Sequence, residues 1–247
     1  TSNSRKTEVS ASFDPAQATF DDGLTLLYQA GTRNTDKRMN LAFLPDEDYD
    51  NDVQAMMNDL EHTIYQGFHQ STMIRGQKPR WAFYASPMEG NYEATDDFST
   101  VTREVPDELL AIPWLNALAI VHRSDIRDSR SGRIITTEAN SIGTAVHEAS
   151  HAIFNLRDEY CGRGSCGATE PHPNRFDNEA DCRSYNLVNR WPADDCNTCT
   201  GSTPDECWRP EPASDGCIMR ASGHTVLNQH ARTCAARALH VYSEQDR

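Results

Sequence analysis

The sequence lacks any long hydrophobic segment. No apolar run approaches the roughly 20 residues that are needed to cross a bilayer, so we expect no membrane partner. The start of the chain, Thr1 to Thr7, is polar and lacks the charged-then-apolar layout of a signal peptide, which indicates a processed or trimmed chain. Internal repeats are also missing, so a solenoid or propeller is not expected.

Positive charge is scarce. The chain has 23 Lys and Arg residues against 37 Asp and Glu, a formal net charge of -14, and no basic cluster. An acidic surface repels phosphate backbones, so we expect no nucleic-acid partner. The length of 247 residues suits one soluble catalytic unit, 1–247. We expect a monomer with an upper α/β subdomain, 20–156, and a disulfide-rich lower subdomain, 157–247.

Cysteine is missing from the first 160 residues. All eight cysteines lie in a loop-rich C-terminal segment, at 161, 166, 182, 196, 199, 207, 217 and 234. An even count in such a segment predicts disulfides and an oxidising compartment, so we expect a secreted protein. The spacing around Cys196 and Cys199 does not give the paired layout of a zinc ribbon, which favours disulfides over structural zinc.

Short strands and helices alternate along the chain. Apolar or β-branched runs predict strands at 23–30, 39–44, 81–85, 115–121 and 133–138. Apolar residues at three- and four-residue spacing predict helices at 53–68 and 225–242, and a proline-free stretch predicts a third at 142–156. Alternating strands and helices indicate the α/β class with a mixed sheet.

The segment His147-Glu148-Ala149-Ser150-His151 carries the strongest chemical signal. Two histidines four residues apart on a helix lie on one face and can bind one metal ion. Glu148 then lies beside the metal, where it can take a proton from a zinc-activated water and pass it to a leaving amine. The pattern predicts a catalytic Zn²⁺ site, although an ordinary amphipathic helix can show the same five residues.

A catalytic zinc needs a third protein ligand and an open position. Asp158 is our choice, because Asn155 tolerates a left-handed conformation and can turn the chain back after the helix. The alternative is that Asp158 pairs with an arginine or caps a loop. Competing ligands are Glu159, Glu179, His172 and His224.

Three segments resemble the bacterial immunoglobulin-A zinc metallopeptidase family. They are HEASHAIFNLRDEY at His147 to Tyr160, MNLAFLPDEDY at Met39 to Tyr49, and DGCIMR at Asp215 to Arg220. The resemblance implies a zincin-like metalloprotease, with zinc on His147, His151 and an aspartate that matches Asp158. It also implies that Met219 forms a floor beneath the metal, whereas methionine at this position could equally be a core residue.

Two further segments suggest binding sites. The half-polar strand 133–138 predicts an exposed edge, to which a substrate could add as an extra strand along Arg133, Ile134, Ile135 and Thr136. Alternating acids at Asp46, Asp48, Asp50 and Asp52 suggest Ca²⁺. Because this run lacks the glycine and final glutamate of an EF-hand, a solvated turn that caps the next helix is the favoured interpretation. His122 is predicted to be a core histidine.

Together these features predict a secreted zinc endopeptidase that acts on polypeptides. Two alternatives stay open. The chain could be a non-catalytic binding module whose zinc is structural, which needs a fourth ligand such as Glu159 or a cysteine. It could also hydrolyse another amide or an ester with the same zinc and glutamate.

Overall fold

The computed structural model describes residues 23–31, 33–50, 52–139, 141–158, 174–198, 207–210, 217, 219 and 232–246. The strands are β1 (Thr25–Gln29), β2 (Met39–Pro45), β3 (Trp81–Ala85), β4 (Asn91–Ala94), β5 (Val101–Glu104), β6 (Ala117–His122), β7 (Arg130–Ser131), β8 (Ile134–Glu138), β9 (Asn197–Thr198) and β10 (Trp208–Arg209). The helices are α1 (Val53–His62), α2 (Thr72–Arg75), α3 (Asp107–Leu110), α4 (Ile142–Phe154), α5 (Glu179–Val188) and α6 (Arg232–Gln245).

A mixed six-stranded sheet has the order β1-β3-β2-β6-β8-β7. The four inner strands pair in parallel, whereas β1 and β7 are antiparallel at the two edges. Every residue of β6 is buried, and so is every residue of β2 except its last, because helices or loops cover both faces. The predicted α/β class with a mixed sheet is confirmed.

The two faces of the sheet carry different layers. Leu41 and Phe43 point to the face that packs against α1, α4 and α6. Ala42 and Leu44, one residue out of phase, point to the opposite face, where α3 and the loop after it pack. This two-residue alternation places α4, with its two histidines, on the larger apolar cluster.

The predicted strands match β1, β2, β3, β6 and β8 closely. The predicted helix 53–68 is α-helical only to His62; a π turn, Thr63–Gly67, and a 3₁₀ turn, Phe68–Gln70, complete it. The last helix begins at Arg232 and ends at Gln245, and 225–231 lie outside the described residues. Among the described helices, none has the length and hydropathy of a membrane-crossing segment.

The prediction of an exposed edge at 133–138 was wrong. β7 pairs with β8 through Ser131 and Ile134, and the Thr136 amide donates to the Ser129 carbonyl at 2.8 Å. The Asp128 carboxylate accepts a hydrogen bond from the Glu138 amide at 2.8 Å. The outer edge of β8 is therefore already occupied by the preceding segment of the same chain.

The C-terminal segment adds to the same core. Trp81 Nε1 donates to the Tyr242 hydroxyl at 2.8 Å, and Arg237 Nε donates to the Phe154 carbonyl at 3.0 Å. Cys217 and Cys234 are buried in this cluster, with their sulfurs 3.2 Å apart. The predicted disulfide framework is confirmed for Cys182–Cys196, which joins α5 to the turn Ala193–Asp195, and Cys207 is also disulfide-bonded.

Gly67 brings the π turn against the start of α4. A Cβ at this position would lie 2.9 Å from the Ile142 carbonyl oxygen and 3.5 Å from Val146 Cγ2. The first obstacle is backbone, so α4 itself would have to move. Gly76, by contrast, has open space around a virtual Cβ and a helical φ of -77°.

We predict that Gly67→Ala destabilises the fold by about 1–3 kcal/mol, the usual cost of overpacking. Gly76→Ala is the matched control and should be neutral or slightly stabilising, because alanine restricts the unfolded chain. Urea unfolding of both variants measures the difference. Equal free energies of unfolding for the two variants would contradict the close packing of Gly67 on α4.

His69 is a buried histidine in an aromatic environment. Its side chain is 3% exposed, and neither ring nitrogen has a hydrogen-bond partner among the described residues. The ring centroid lies 4.3 Å from that of Tyr28 and 5.1 Å from that of Tyr65. Burial, assisted by the charge of Lys78, lowers the pKa of His69 to about 4, so the imidazole is neutral in the folded protein.

This neutral histidine predicts a loss of stability in acid. In the unfolded chain His69 binds a proton below its ordinary pKa of 6.5. In the folded protein it binds that proton only near pH 4. The free energy of unfolding should therefore fall by about 2 kcal/mol between pH 7 and pH 4.5 through His69 alone. His69→Leu should remove that part, as urea titrations of both proteins at the two pH values would show. An unchanged pH dependence in the variant would contradict the prediction.

Candidate metal centre

The helix α4 carries the predicted metal-binding residues inside the protein. His147, Glu148 and His151 are 2%, 8% and 8% exposed, respectively. α4 packs along β8 on one side and against the turn Thr63–Gly67 on the other. It is apolar around most of its circumference, as a buried helix is, so these three side chains are polar groups in an apolar setting.

Three ligand atoms converge at the end of α4. His147 Nε2 and His151 Nε2 lie 3.0 Å apart. Asp158 Oδ1 lies 3.0 Å from the first and 3.2 Å from the second. Among the described residues, this is the one group of three His, Cys, Asp or Glu side chains that could hold a metal ion. The predicted set His147, His151 and Asp158 is therefore brought together.

The donor set fits a divalent cation. His151 Nδ1 lies 2.7 Å from the Leu156 carbonyl, so Nδ1 carries the proton and a neutral His151 has its lone pair on Nε2. Asp158 Oδ1 is buried and accepts no hydrogen bond from the described residues. Three lone-pair atoms at these distances repel each other unless positive charge lies between them. One Zn²⁺ satisfies all three, since tetrahedral bonds of about 2.0–2.1 Å place ligand atoms roughly 3.3 Å apart.

The chain reverses at Asn155, which has φ 53° and ψ 37°. Its amide and that of Leu156 turn back to the Ser150 carbonyl, which ends the helix in a left-handed cap. The same reversal brings the Leu156 carbonyl to His151 and Asp158 to both histidines. The predicted turn at Asn155 is confirmed.

Asn174 and Arg175 hold the segment that follows the turn. The Asn174 side chain accepts from the Arg157 amide at 3.0 Å and donates to the Arg157 carbonyl at 2.7 Å. Arg175 Nη1 donates to the Asp158 carbonyl at 3.3 Å. Asp158 is thus held through its backbone, which leaves its carboxylate directed at the two imidazoles.

Glu148 has the environment of a general base. Burial, reinforced by the negative charges of Asp158 and Asp128, raises its pKa to about 7, against the opposing effects of His147 and Arg130. A carboxyl group with a pKa near neutrality both accepts and releases a proton readily. Such a shift beside a ligand cluster in a cleft is typical of a functional site.

His122 and Asp128 form a buried pair next to the candidate metal centre. His122 Nε2 contacts Asp128 Oδ1 at 2.8 Å, and Nδ1 lies 3.1 Å from the Ser124 carbonyl. Burial opposes protonation of His122, but its bonds to Asp128 and Ser124 outweigh burial and raise its pKa. The prediction that His122 is a hydrogen-bonded core histidine is confirmed.

A cleft of about 290 Å³ opens at the centre. Its lining residues are Phe98, Arg127, Asp128, Ser129, Arg130, Glu148, His151, Arg157 and Asp158. Four of the nine come from the β4–β5 hairpin loop and the segment before β7, and a fifth, Arg130, begins β7; the sequence patterns predicted none of these segments. Gly132 could have indicated the hairpin of β7 and β8 from the sequence, because this glycine, at φ 59°, lies in the turn between the two strands.

The predicted substrate strand, Arg133 to Thr136, does not line this cleft. Ile135 and Thr136 are fully buried, and Arg133 donates to the Leu115 carbonyl at 3.0 Å on the opposite face of the sheet from α4. That assignment is corrected: β7 and the residues before it border the site.

The other candidate ligands separate into two groups. Glu179 lies on α5, where its Oε1 pairs with Arg183 at 2.8 Å, and it does not join the metal group. Glu159, His172 and His224 lie outside the described residues. Met219 is fully buried in the apolar cluster that also contains residues of α4. Its role as a floor for the metal remains a prediction.

The four alternating aspartates are not brought together as a metal-binding group among the described residues. Asp46 accepts from the Tyr92 amide at 3.0 Å, and Asp48 accepts from the Ser124 amide at 2.9 Å. Asp50 occupies a left-handed turn, and Asp52 caps α1 through the Ala55 amide at 2.9 Å. These carboxylates face different backbone groups, so the favoured interpretation, a turn that caps the next helix, is confirmed.

No protein-family model matches this sequence, and no curated protein matches it either.

The reversal at Asn155 can be tested by substitution. We predict that Asn155→Gly keeps its zinc content, because glycine adopts the left-handed region without strain. Asn155→Val should lose about 1–2 kcal/mol, because a β-branched residue is strained there. It should also bind zinc at least about tenfold more weakly through displacement of Asp158. Zinc titration and urea unfolding of both variants measure this. Equal zinc affinity would contradict the role of the turn.

Proposed function

We propose that this chain is a zinc-dependent endopeptidase. One observation carries the proposal: His147, His151 and Asp158 supply three converging ligand atoms, and a buried Glu148 with a pKa of about 7 lies next to them on the same helix. Three protein ligands leave a fourth position open, which distinguishes catalytic from structural zinc.

Zinc at such a site supplies Lewis acidity, which polarises a substrate carbonyl and makes water acidic enough to react near neutral pH. His147, His151 and Asp158 would hold the ion. The Leu156 carbonyl fixes the His151 tautomer, and Arg130 Nη1 donates to the His151 carbonyl at 2.6 Å and fixes the helix end.

Glu148 carries the proton transfers. As a carboxylate it accepts a proton from the attacking water, and as a carboxylic acid it donates that proton to the leaving amine. Its raised pKa suits both steps, since neither protonation state is far from neutrality. Burial also excludes bulk water, which would otherwise compete for the proton.

The resemblance of three segments to the bacterial immunoglobulin-A metallopeptidases supports the same conclusion and implies a zincin-like fold. The mixed sheet with a metal-binding helix beneath it is compatible with that fold. We further propose a secreted protein with a cysteine-rich C-terminal subdomain, which the Cys182–Cys196 disulfide supports. The name of the family that these segments resemble is no basis for proposing a particular polypeptide substrate, because fold and motif do not fix specificity.

Proteolysis of casein by the wild type and by Glu148→Gln tests the proposal. We predict that the variant keeps about one zinc per chain and loses activity at least about 100-fold, because the ligands remain while the general base is removed. Asp158→Ala should instead lose zinc and activity together. Metal analysis of each sample, alongside the release of peptides, separates the two effects.

Glu179→Gln is the matched control, because it removes a carboxylate from an exposed ion pair with Arg183. It should keep both zinc and activity. Loss of zinc in this variant would show that Glu179, rather than Asp158, is the third ligand. Zinc bound by a wild type that cleaves neither protein nor small amide and ester substrates would favour the structural-zinc alternative, for which no fourth ligand is present among the described residues.

A further inference from the structure

Arginines form one wall of the metal cleft. Arg127, Arg130 and Arg157 all line it, although the whole chain carries a net charge of -14. Arg127 and Arg157 are exposed, and Arg130 is half-buried. Two of the three come from one short segment before and within β7, so a single stretch of chain provides most of this wall.

The acids of the cleft already have counter-charges. Glu148 and Asp158 together balance a divalent cation at the proposed centre, and Asp128 contacts His122 at 2.8 Å. Arg127 and Arg130 therefore give the described part of the cleft excess positive charge.

Arg127 and Arg130 keep donors available for a ligand. Arg127 stacks with its guanidinium 5.7 Å from the Phe98 ring centroid, and its carbonyl accepts a hydrogen bond from the Tyr92 hydroxyl. Arg130 uses Nη1 for the His151 carbonyl. Neither forms an ion pair with any carboxylate among the described residues. Guanidinium groups held in place with free donors suit bidentate binding of a carboxylate.

We propose that this wall, Arg127 together with Arg130, binds a carboxylate of the substrate close to the bond that is cleaved. The proposal rests on the proposed function and adds a substrate class, namely polypeptides with a negative charge beside the scissile bond. The carboxylate can belong to an aspartate or glutamate side chain or to the C-terminus of the substrate. An internal acid would leave the enzyme an endopeptidase, whereas a terminal carboxylate would restrict it to chain ends.

A paired peptide set tests this inference. A fluorogenic peptide is built around a bond that the enzyme cleaves in casein, with Glu or its neutral isostere Gln placed in turn at each flanking position. Each peptide is made with a free C-terminal carboxylate and with an amide. We expect kcat/KM to favour Glu over Gln about tenfold at one position, the discrimination that one charge-assisted hydrogen-bonded pair supplies.

Substitution of Arg127 tests whether this residue causes the preference for Glu over Gln. Arg127→Gln should reduce the Glu-over-Gln ratio to about threefold or less, and Arg127→Lys should restore part of it, since lysine keeps the charge but not the bidentate geometry. Arg75→Gln is the matched control, because Arg75 is exposed on α2, away from the cleft, and its loss should leave the ratio unchanged. Unfolding midpoints confirm that each variant folds.

Binding provides a second readout. In zinc-loaded Glu148→Gln protein, fluorescence anisotropy should show tighter binding of the Glu peptide than of the Gln peptide. The difference should shrink as salt rises, because screening weakens exposed ion pairs. Equal affinities and equal kcat/KM values at every position, with either terminus, would overturn the inference and leave the proposed function intact. Failure of the wild type to cleave any peptide would count against the proposed function, while the anisotropy still decides whether the arginines bind carboxylates.

Discussion

The structure depends on keeping negative charge inside the protein beside α4. Glu148 and Asp128 are buried, and Asp158 directs a buried carboxylate oxygen at two imidazoles. Unpaired burial of any one carboxylate would cost several kcal/mol, so each needs a fixed source of positive charge or a raised pKa. His122 compensates Asp128, a cation between His147 and His151 would compensate Asp158, and Glu148 has its pKa raised to about 7. Three acids in one region thus take three different roles.

The surrounding fold serves to hold these groups at fixed distances. β6 and β8 place His122 and the Asp128 segment on one side of α4, and the turn at Gly67 fixes the start of that helix. At the other end, arginines satisfy carbonyls that the helix leaves unbonded: Arg130 binds the His151 carbonyl and Arg237 binds that of Phe154. The left-handed cap at Asn155 then allows Asp158 to approach.

Short-range patterns in the sequence predicted those parts of the site whose residues are close together in the sequence. The shared face of His147 and His151 follows from helical spacing, and Asp158 follows them closely enough in the sequence for one turn to bring it back. The cleft wall is different, because the β4–β5 hairpin and β7 are short, polar strands whose pairing depends on distant partners. An apparent edge strand at Arg133 to Thr136 was therefore assigned to the substrate, when the chain itself already covers that edge. The arginines of 123–133 were a visible signal, since four of them lie in an otherwise acidic chain.

The contrast between an acidic protein and a positive cleft determines where selectivity can arise. At physiological ionic strength charges are screened over about 8 Å, so an approaching acidic polypeptide would feel little attraction from the cleft arginines at longer range. Arg130 is half-buried in the cleft, where water is partly excluded and its charge interacts more strongly. Negative charge on the outer surface of the protein also weakens the binding of acidic polypeptides outside the cleft. Under the proposed carboxylate recognition, substrates would therefore be discriminated by their residence time and orientation in the cleft rather than by their association rate.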